Sequence, residues 1–283
     1  MKRILTILAI VVCSCSNPGF PFDVATLHNL ESGANLSPRK AQKAAGVCGQ
    51  WQTDNQTISF VRLNPEAYGI DIITAEGEEA DSTSAICLRY GAVAGINGSY
   101  FNMEDLTHNT YIKDDGLEAS ITVPEEYFRT NGAFLRGVDG IEIAAADTSA
   151  VLPEGDLFVE AMVAGPILID DGIVIEYSED IAGWDSFYNH VHPRSLIGTD
   201  AKGFIWLVTV DGRTSEQAVG MTVQELTDLA LSLGLTDALN LDGGGSTTLW
   251  TRTEGVLNNP SDNQRMDHEG QRVVPSVLAV WKR

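Results

Sequence analysis

The chain has 283 residues, of which 43% are hydrophobic and 20% are charged, a composition typical of a globular protein with a sizeable core. Acidic residues outnumber basic ones by 39 to 18, so the formal net charge is −21 at pH 7. This excess argues against a nucleic-acid-binding protein, because nucleic-acid recognition needs a basic surface. Any anionic substrate must therefore be attracted by a local cluster of arginines or backbone N–H groups.

The N-terminus has the pattern of an export signal. Two basic residues precede an apolar run, Ile4–Val12, which is too short to span a bilayer as a permanent helix. The run ends in a segment that resembles a bacterial lipobox, with Cys15 as the lipid-modified first residue of the mature chain. We expect residues 1–14 to be a lipoprotein signal peptide and the protein to be held in the cell envelope, periplasmic or at the outer membrane, by lipid on Cys15. Cleavage without lipid is the alternative.

Residues 15–50 are predicted to form a tether and N-terminal segment, because they are rich at first in Asn, Ser, Pro and Gly. Residues 51–283 are predicted to form one large domain. Two cysteines follow Cys15, namely Cys48 and Cys87. In an oxidising compartment such a pair often forms a disulfide, which we expect here. Two buried thiols are the alternative.

The domain is predicted to be rich in strands, because apolar residues alternate along short runs bounded by turn residues. The predicted elements are strands at 58–63 and 68–74, a helix at 82–90, a hairpin at 165–175 with Asp171-Gly172 at its turn, and a second hairpin around 200–203. An acidic, irregular stretch at 102–131 is expected to form a loop over a site.

A strand, a helix and another strand are predicted near the C-terminus. Phe204–Val210 is apolar on both faces, and the helix signals begin with Thr222 and Glu225 as a capping box. Gly234 suits the end of that helix, and Ala238–Leu241 is the next strand. The fold class is therefore expected to be α+β, a single domain with a mixed sheet, one βαβ unit and helices packed on the sheet. The carboxyl ends of the two parallel strands should share one edge, where ligands bind.

Three motifs should meet at that edge. They are Arg194, expected opposite Thr209 in the hairpin, Asp211-Gly212-Arg213, and Asn240 through Gly245. Arginine forks match phosphate in two-point contacts, and bare glycine N–H groups add fixed donors. The motifs therefore predict an anion site beside a carboxylate. The alternative is that these arginines and aspartates form ion pairs whose role is purely structural.

These segments resemble the phosphodiester glycosidase family. The matching pieces are Asn97-Gly98-Ser99-Tyr100-Phe101, the Gly165-Pro166 hairpin, 192–198, 211–213, 220–248, 257–260 and 271–275, within a resemblance that runs from about residue 57 to the C-terminus. The resemblance implies cleavage of the anomeric C–O bond of a sugar-1-phosphodiester of the N-acetylglucosamine-1-phospho-sugar type. The position before Arg272, commonly acidic in the family, is Gln271 here, which puts the role of that acid in question.

Individual residues can be assigned to the steps of this reaction. Asp242 is the first candidate for nucleophile or base and Asp211 the second. Binding of the sugar-phosphodiester or glycan substrate is assigned to Arg194, Arg213, Asn97, Asn240, Gly243, Gly244, Gly245, Ser246 and Arg272. No cofactor is expected. His190 and His192 could bind a metal ion, but the sequence offers no third ligand motif.

Other chemistries fit less well. No Lys-Ser/Thr pair follows the glycines as in a P-loop, and Ser246 lacks the elbow context of a triad serine. The alternative of a different class is a non-catalytic surface lipoprotein that binds glycans, with Trp184, Phe187 and Tyr188 as a stacking platform. Turnover of a sugar-1-phosphodiester separates the two.

Overall fold

The computed structural model describes residues 46–52, 55–146, 158–177, 185–213 and 218–283. The expected signal peptide at 1–14, the lipidation at Cys15 and most of the tether lie outside these ranges. Within them the first strand is Gly46–Gln52, which pairs along its whole length with the next strand. No helix in the described ranges is both long and apolar enough to cross a membrane.

Strands dominate the described residues. In chain order they are β1 Gly46–Gln52, β2 Thr57–Leu63, β3 Tyr68–Thr74, β4 Asp81–Ser82, β5 Ala94–Asn97, β6 Ile112–Asp114, β7 Leu117–Ser120, β8 Gly132–Gly137, β9 Gly140–Ala145, β10 Phe158–Ala164, β11 Ile167–Asp170, β12 Ile173–Val174, β13 Arg194–Asp200, β14 Ile205–Val210, β15 Leu235–Asn240, β16 Leu249–Thr251, β17 Gly255–Val256, β18 Val273–Val274 and β19 Ser276–Lys282. The predicted strands at 58–63 and 68–74 and both predicted hairpins are confirmed.

Two α-helices occur in the described ranges, at the places that the sequence predicts. Helix α1, Thr83–Arg89, is capped by the Ser82 side chain, which accepts the Ala85 N–H. Helix α2, Val223–Ser232, begins with the predicted capping box of Thr222 and Glu225. Gly234 follows it with φ +75°, the left-handed conformation that a helix-ending glycine adopts.

The strands form a seven-stranded sheet in the order β1-β2-β14-β13-β15-β11-β12, two five-stranded sheets in the orders β7-β6-β10-β8-β9 and β17-β16-β5-β19-β3, and a β18-β4 pair. The prediction of a strand-rich domain is confirmed. The prediction of a mixed sheet is wrong, because every neighbouring pair described within these sheets is antiparallel. With two short helices packed on these sheets, the fold is mostly β rather than an even α+β.

The βαβ prediction is corrected in one respect. Strands β14 and β15 do run in the same direction, but β13 lies between them and pairs antiparallel with both. The sequence pattern could not show this, because the hairpin strand before β14 competes with β15 for the same edge. The functional consequence survives, since the carboxyl ends of β14 and β15 and the start of β13 lie at one edge of the sheet.

The large sheet is buried on both faces. One face joins both five-stranded sheets in the largest apolar cluster, which includes Leu207, Leu239, Ile96 and Phe134. The other face packs on α2 through residues such as Leu226. This sandwiched position explains why β14 is apolar on both faces.

The predicted disulfide between Cys48 and Cys87 is not formed. Both side chains are buried, and they belong to different apolar clusters, Cys48 to the central one and Cys87 to the cluster beneath α1. Burial raises the pKa of the Cys87 thiol to about 12, so this thiol stays protonated. The alternative of two buried thiols is the correct one.

Candidate active site

A cavity of about 340 Å³ opens at the sheet edge where the three motifs were expected to meet. Its walls are formed by Phe128, Arg129, Ser186, Phe187, His192, Pro193, Arg194, Arg213, Asp242, Gly243, Gly244 and Arg272. The register across β13 brings these segments together, because Arg194 pairs with Val210, and Leu196 pairs with Asn240. Arg194 thus lies one residue from its predicted partner, since Thr209 pairs with Ser195. The predicted convergence of Arg194, Arg213 and Asp242 is present.

Asp242 lies two residues after the end of β15 and presents the one carboxylate among the described lining residues. Its backbone N–H donates to the Gly98 carbonyl at 3.1 Å, and the Gly243 N–H donates to its Oδ1 at 2.9 Å. Burial raises the pKa of the Asp242 carboxyl above its ordinary value, while the Ser246 hydroxyl and the charges of Arg129 and Arg272 oppose that rise. The carboxylate is therefore partly desolvated and held in a fixed position.

The three glycines after Asp242 are required by close approaches. A Cβ on Gly243 would lie 2.6 Å from the Pro193 carbonyl oxygen, and one on Gly245 would lie 1.8 Å from Oδ1 of Asp262. Gly244 has φ +61°, and a Cβ there would meet the Arg213 guanidinium at 3.0 Å. The glycines thus allow two arginines to approach the backbone closely.

Two of the three glycine amides that were predicted to be bare donors are already hydrogen-bonded within the protein. The Gly243 N–H is bound to the Asp242 carboxylate, and the Gly244 N–H donates to the Pro193 carbonyl at 2.9 Å. These two amides stabilise the loop that carries Asp242, and the anion-binding character of the cavity comes from its arginines.

Arg194 is a buried cation at the base of the cavity, with 1% of its surface exposed. Its Nε donates to the Met221 carbonyl at 2.9 Å, and its Nη2 donates to the Phe187 carbonyl at 2.6 Å. Among the described residues it has no carboxylate partner within ion-pair distance. Burial lowers the pKa of the guanidinium to about 10, so it stays charged at neutral pH. A buried, uncompensated charge of this kind is stabilised when an anion binds.

Arg213 is the exposed counterpart of Arg194 at the mouth of the cavity. It has φ +62°, a conformation that a long side chain rarely adopts. Its Nη2 lies 3.2 Å from Nδ1 of His192. It too has no carboxylate partner within ion-pair distance in the described part of the chain.

The other two arginines of the cavity are neutralised by carboxylates. Arg272 makes a two-point pair with Asp262, both contacts at 2.8 Å. Arg129 donates to Glu126 at 2.6 Å, and its guanidinium lies 3.8 Å from the centre of the Tyr100 ring.

A count of charges around the cavity predicts the charge of its ligand. Four arginines are offset by Glu126, Asp262 and Asp242, which leaves one positive charge when all groups are ionised. A phosphodiester carries one negative charge, so its binding would neutralise the site.

Arg129 and Phe128 line the cavity although the sequence reasoning gave them no role, and His192, considered there only as a metal ligand, lines it too. Arg129 lies in the stretch 102–131, which was expected to form an irregular loop over a site. Phe128 and Arg129 do line the cavity, but Ile112–Asp114 and Leu117–Ser120 of the same stretch are paired strands. No motif singled out Arg129, because the Tyr100 ring reaches it only through tertiary packing.

Two predicted ligands lie behind the cavity rather than in it. Asn97 is fully buried, and its Oδ1 accepts the Ser195 hydroxyl at 2.7 Å and the Thr248 N–H at 3.1 Å. Asn240 is also buried, and its Nδ2 donates to the Gly165 carbonyl at 2.7 Å and to the Tyr100 hydroxyl at 3.1 Å. Both asparagines hold strands and loops together, and neither is among the residues that line the cavity.

Asp211 and Ser246 are likewise outside the cavity. Asp211 is fully buried, and its Oδ2 accepts a hydrogen bond from Nδ2 of Asn259 at 2.7 Å. Ser246 is 1% exposed and lies behind Asp242. Asp211 therefore does not reach a substrate bound beside Asp242.

Gln271 has a structural role that explains the departure from the family pattern. Its Oε1 accepts the Ser84 N–H at 3.1 Å, and its Nε2 donates to the Ser84 hydroxyl at 2.9 Å. Ser84 is in the first turn of α1, where N–H groups lack partners and favour a carboxylate. An acid or a glutamine at position 271 can satisfy that turn without touching the cavity.

In the described ranges no three His, Cys, Asp or Glu side chains gather closely enough to hold a metal ion.

Comparison of the sequence with known proteins shows which family it resembles. The sequence profile described as phosphodiester glycosidase matches residues 90–281. The bovine N-acetylglucosamine-1-phosphodiester alpha-N-acetylglucosaminidase is 32% identical over 180 residues, which is 64% of this chain and 28% of that protein. A prophage-derived uncharacterized protein of Bacillus subtilis is 44% identical over 75 residues, or 26% of this chain and 11% of that one. The chain thus spans well under half the length of these curated relatives.

A solved structure shares the fold. The zebrafish N-acetylglucosamine-1-phosphodiester alpha-N-acetylglucosaminidase catalytic domain, auto-inhibited by its pro-peptide, superposes with a TM-score of 0.65. The two are 17% identical, and the superposition covers 84% of this chain and 83% of that one. The matched profile spans Asp242, its three glycines and all four arginines of the cavity. The chain belongs to the phosphodiester glycosidase family.

Proposed function

We propose that the protein is a hydrolase that cleaves the glycosidic bond of a sugar-1-phosphodiester, with N-acetylglucosamine-1-phospho-sugars as the first substrate class. One observation carries the proposal: Asp242 shares a cavity with four arginines, two of which, Arg194 and Arg213, lack a carboxylate partner among the described residues. Such a site favours a substrate with one negative charge next to the bond that reacts. Family membership supports the same chemistry.

The proposed reaction breaks the bond between the anomeric carbon and the phosphate oxygen. Asp242 either attacks the anomeric carbon or removes a proton from the water that attacks it. The phosphate ester departs with the bonding electron pair, and the charge that it gains is stabilised by Arg194 and Arg213. Since a phosphate monoester is a good leaving group, no general acid needs to protonate the leaving oxygen. If Asp242 attacks the sugar, water then hydrolyses the resulting glycosyl ester, which releases the sugar and restores the carboxylate.

The alternative of a glycan-binding protein without activity finds less support in the aromatic loop. Tyr188 is buried, and its hydroxyl donates to the Phe128 carbonyl at 3.0 Å. Phe187 packs edge-on against Phe128 and lies 4.9 Å from the Arg194 guanidinium. Trp184 lies outside the described residues. Of the two described rings, Phe187 lines the cavity and Tyr188 is buried against it, so they do not form an exposed stacking platform.

The test is turnover of defined diesters. The methyl diester of α-N-acetylglucosamine-1-phosphate should be split into free sugar and methyl phosphate, which NMR detects separately, with the matching glucose and galactose diesters as specificity controls. The configuration of the first-formed sugar distinguishes attack by Asp242 from attack by water. Binding of the diesters without turnover of any of them would favour the glycan-binding alternative.

We also propose that the protein acts in the cell envelope, anchored by lipid on Cys15. The support is the export and lipobox pattern at the N-terminus. Cys15→Ala should move the protein from the membrane fraction to the soluble envelope fraction. Equal membrane association of both proteins would contradict lipid anchoring.

A further inference from the structure

His192 links the wall of the cavity to its exposed arginine. Its Nε2 lies 2.8 Å from the Ser186 carbonyl oxygen, which accepts hydrogen bonds only, so Nε2 carries the proton. Its Nδ1 lies 3.2 Å from Nη2 of Arg213, which donates only, so Nδ1 is the acceptor. These two contacts define one neutral tautomer of the imidazole.

The backbone of His192 is fixed independently of these side-chain contacts. His192 and Met221 exchange backbone hydrogen bonds at 3.1 Å and 2.9 Å. A Cβ on Gly220 would lie 2.5 Å from the His192 carbonyl oxygen, so the two chains are in close contact. The backbone therefore holds the imidazole in a fixed position, and the ring can orient the neighbouring side chain of Arg213.

Arg213 is the residue that needs such support. It is exposed and has no carboxylate partner in the described ranges, whereas Arg272 is fixed by Asp262 and Arg129 by Glu126. Nδ1 of His192 supplies the side-chain acceptor for Arg213. A long side chain without a fixed contact loses more rotamer freedom when it binds an anion, and this entropy loss weakens binding.

We propose that His192 is a positioning residue that turns Arg213 towards the phosphodiester, and that it does so only as the neutral imidazole. The inference rests on the proposed function, since it concerns how the same site binds its anion. Protonation would remove the acceptor at Nδ1 and place a positive charge against Arg213. Diester affinity then falls as the imidazole is protonated.

The charged surroundings of His192 are consistent with a neutral ring. The groups that face it are Arg194, Arg213 and His190, whose Nε2 lies 3.5 Å from the Asp185 carboxylate. Burial lowers the pKa of His192, as do the charges of Arg194 and Arg213, while the Ser186 carbonyl opposes the shift. The ring is therefore neutral at pH 7 and gains its proton only in more acidic solution.

Two substitutions separate the roles of the two ring nitrogens. His192→Asn places an amide oxygen near the position of Nδ1 and can keep the acceptor for Arg213. His192→Gln places its amide near the position of Nε2 and keeps only the contact with Ser186. We expect His192→Gln to weaken binding of the methyl N-acetylglucosamine-1-phosphodiester about tenfold and His192→Asn to stay within about threefold of the wild type. Calorimetry in an Asp242→Asn background measures this without turnover.

The pH profile supplies a readout that a structural role would not change. In the wild type, KM for the methyl diester should rise as pH falls from 7 to 5. In His192→Asn that rise should disappear. Arg213→Gln should remove it as well. A KM profile that is the same in the wild type and in His192→Asn, or equal diester affinity of the Asn and Gln variants, would overturn the proposal.

The outcome for His192 can be separated from the outcome for the proposed function. Nitrogen NMR of the imidazole reports the tautomer without any substrate, and the proton should be on Nε2 at pH 7. A proton on Nδ1 would overturn the positioning role even if the diester is hydrolysed. Failure to hydrolyse any diester, with the Nε2–H tautomer and the affinity pattern intact, would overturn the proposed function alone.

Discussion

The Asn97 side chain donates a hydrogen bond of 2.7 Å to the backbone carbonyl of Asp242, and so joins the end of β5 to the loop that carries the cavity carboxylate. The same side chain accepts from Ser195 and Thr248, so each of its polar atoms is used inside the protein. Asn97 therefore fixes the position of Asp242 from behind, and its place in the family motif reflects architecture.

Replacing Asn97 should reduce stability more than it changes substrate recognition. Asn97→Ala leaves the Thr248 N–H and the Asp242 carbonyl buried without their partner, which should lower the free energy of unfolding by about 3 kcal/mol. Urea unfolding measures this loss. Asn189→Ala, at an exposed position, is the control and should change stability little. Equal effects of both substitutions would contradict the bracing role.

Asp242→Asn tests the chemical role of the carboxylate. The substitution keeps the shape of the side chain and removes the charge that attacks the sugar or activates water. We expect kcat to fall by about 10³-fold, which corresponds to a barrier increase of about 4 kcal/mol, with KM changed little. Steady-state kinetics on the methyl diester gives both values, and circular dichroism controls for folding. Near-normal turnover would place the catalytic group elsewhere.

Arg194→Lys tests the buried anion-binding cation. Lysine keeps a positive charge but loses the planar fork that reaches the Phe187 and Met221 carbonyls together. Affinity for the diester should fall about tenfold, with a smaller effect on kcat than Asp242→Asn. Arg265→Lys, at an exposed arginine outside the cavity, is the matched control. If both variants bind the diester as the wild type does, Arg194 does not bind the substrate.

Gly245→Ala tests the close packing beneath Arg272. A Cβ at this position would lie 1.8 Å from Asp262 and 2.1 Å from the Arg272 guanidinium, so the ion pair has to move. The free energy of unfolding should fall by about 2 kcal/mol, as is usual for overpacked sites, and KM for the diester should rise. Gly69→Ala, where the new Cβ meets its first neighbour at 3.7 Å, is the control. Unchanged KM would show that Arg272 does not contribute to binding.

The sequence predicted local elements well, because their signals lie within a few residues of one another. The cap of α2, the turn at Asp171 and Gly172 and the end of β14 next to Arg213 depend on neighbours in the chain. The partner of a strand depends on distant segments, so the insertion of β13 between β14 and β15 was missed. For the same reason Arg129 was overlooked as a cavity residue.

Buried polar residues account for the second difference between the predicted site and the cavity. Asn97, Asn240 and Asp211 have the side chains that a sugar site uses, and the last two each lie two residues from a cavity residue in the sequence. Strand alternation would send residues two apart to the same face, but β14 ends at Val210 and β15 at Asn240, so Arg213 and Asp242 lie on loops where that alternation no longer holds. Their buried hydrogen bonds became visible only in three dimensions.

The buried carboxyl of Asp211 should make the stability of the protein depend on pH. Burial raises the pKa of this carboxyl from 3.8 to about 6, against the opposing effect of its hydrogen bonds from Asn259. Since the folded state binds the proton more tightly than the unfolded state, the contribution to stability is complete below pH 4 and is lost as pH rises through 6. Relative to Asp211→Asn, the wild type should therefore gain up to about 3 kcal/mol as pH falls from 7 to 4. Asp105→Asn is the control of opposite sign, because local hydrogen bonds from Thr107 lower the pKa of the exposed Asp105 carboxyl, whose contribution is lost as pH falls. Urea unfolding at several pH values measures all three proteins, and parallel profiles for the wild type and Asp211→Asn would show that the Asp211 carboxyl titrates as it does in the unfolded chain.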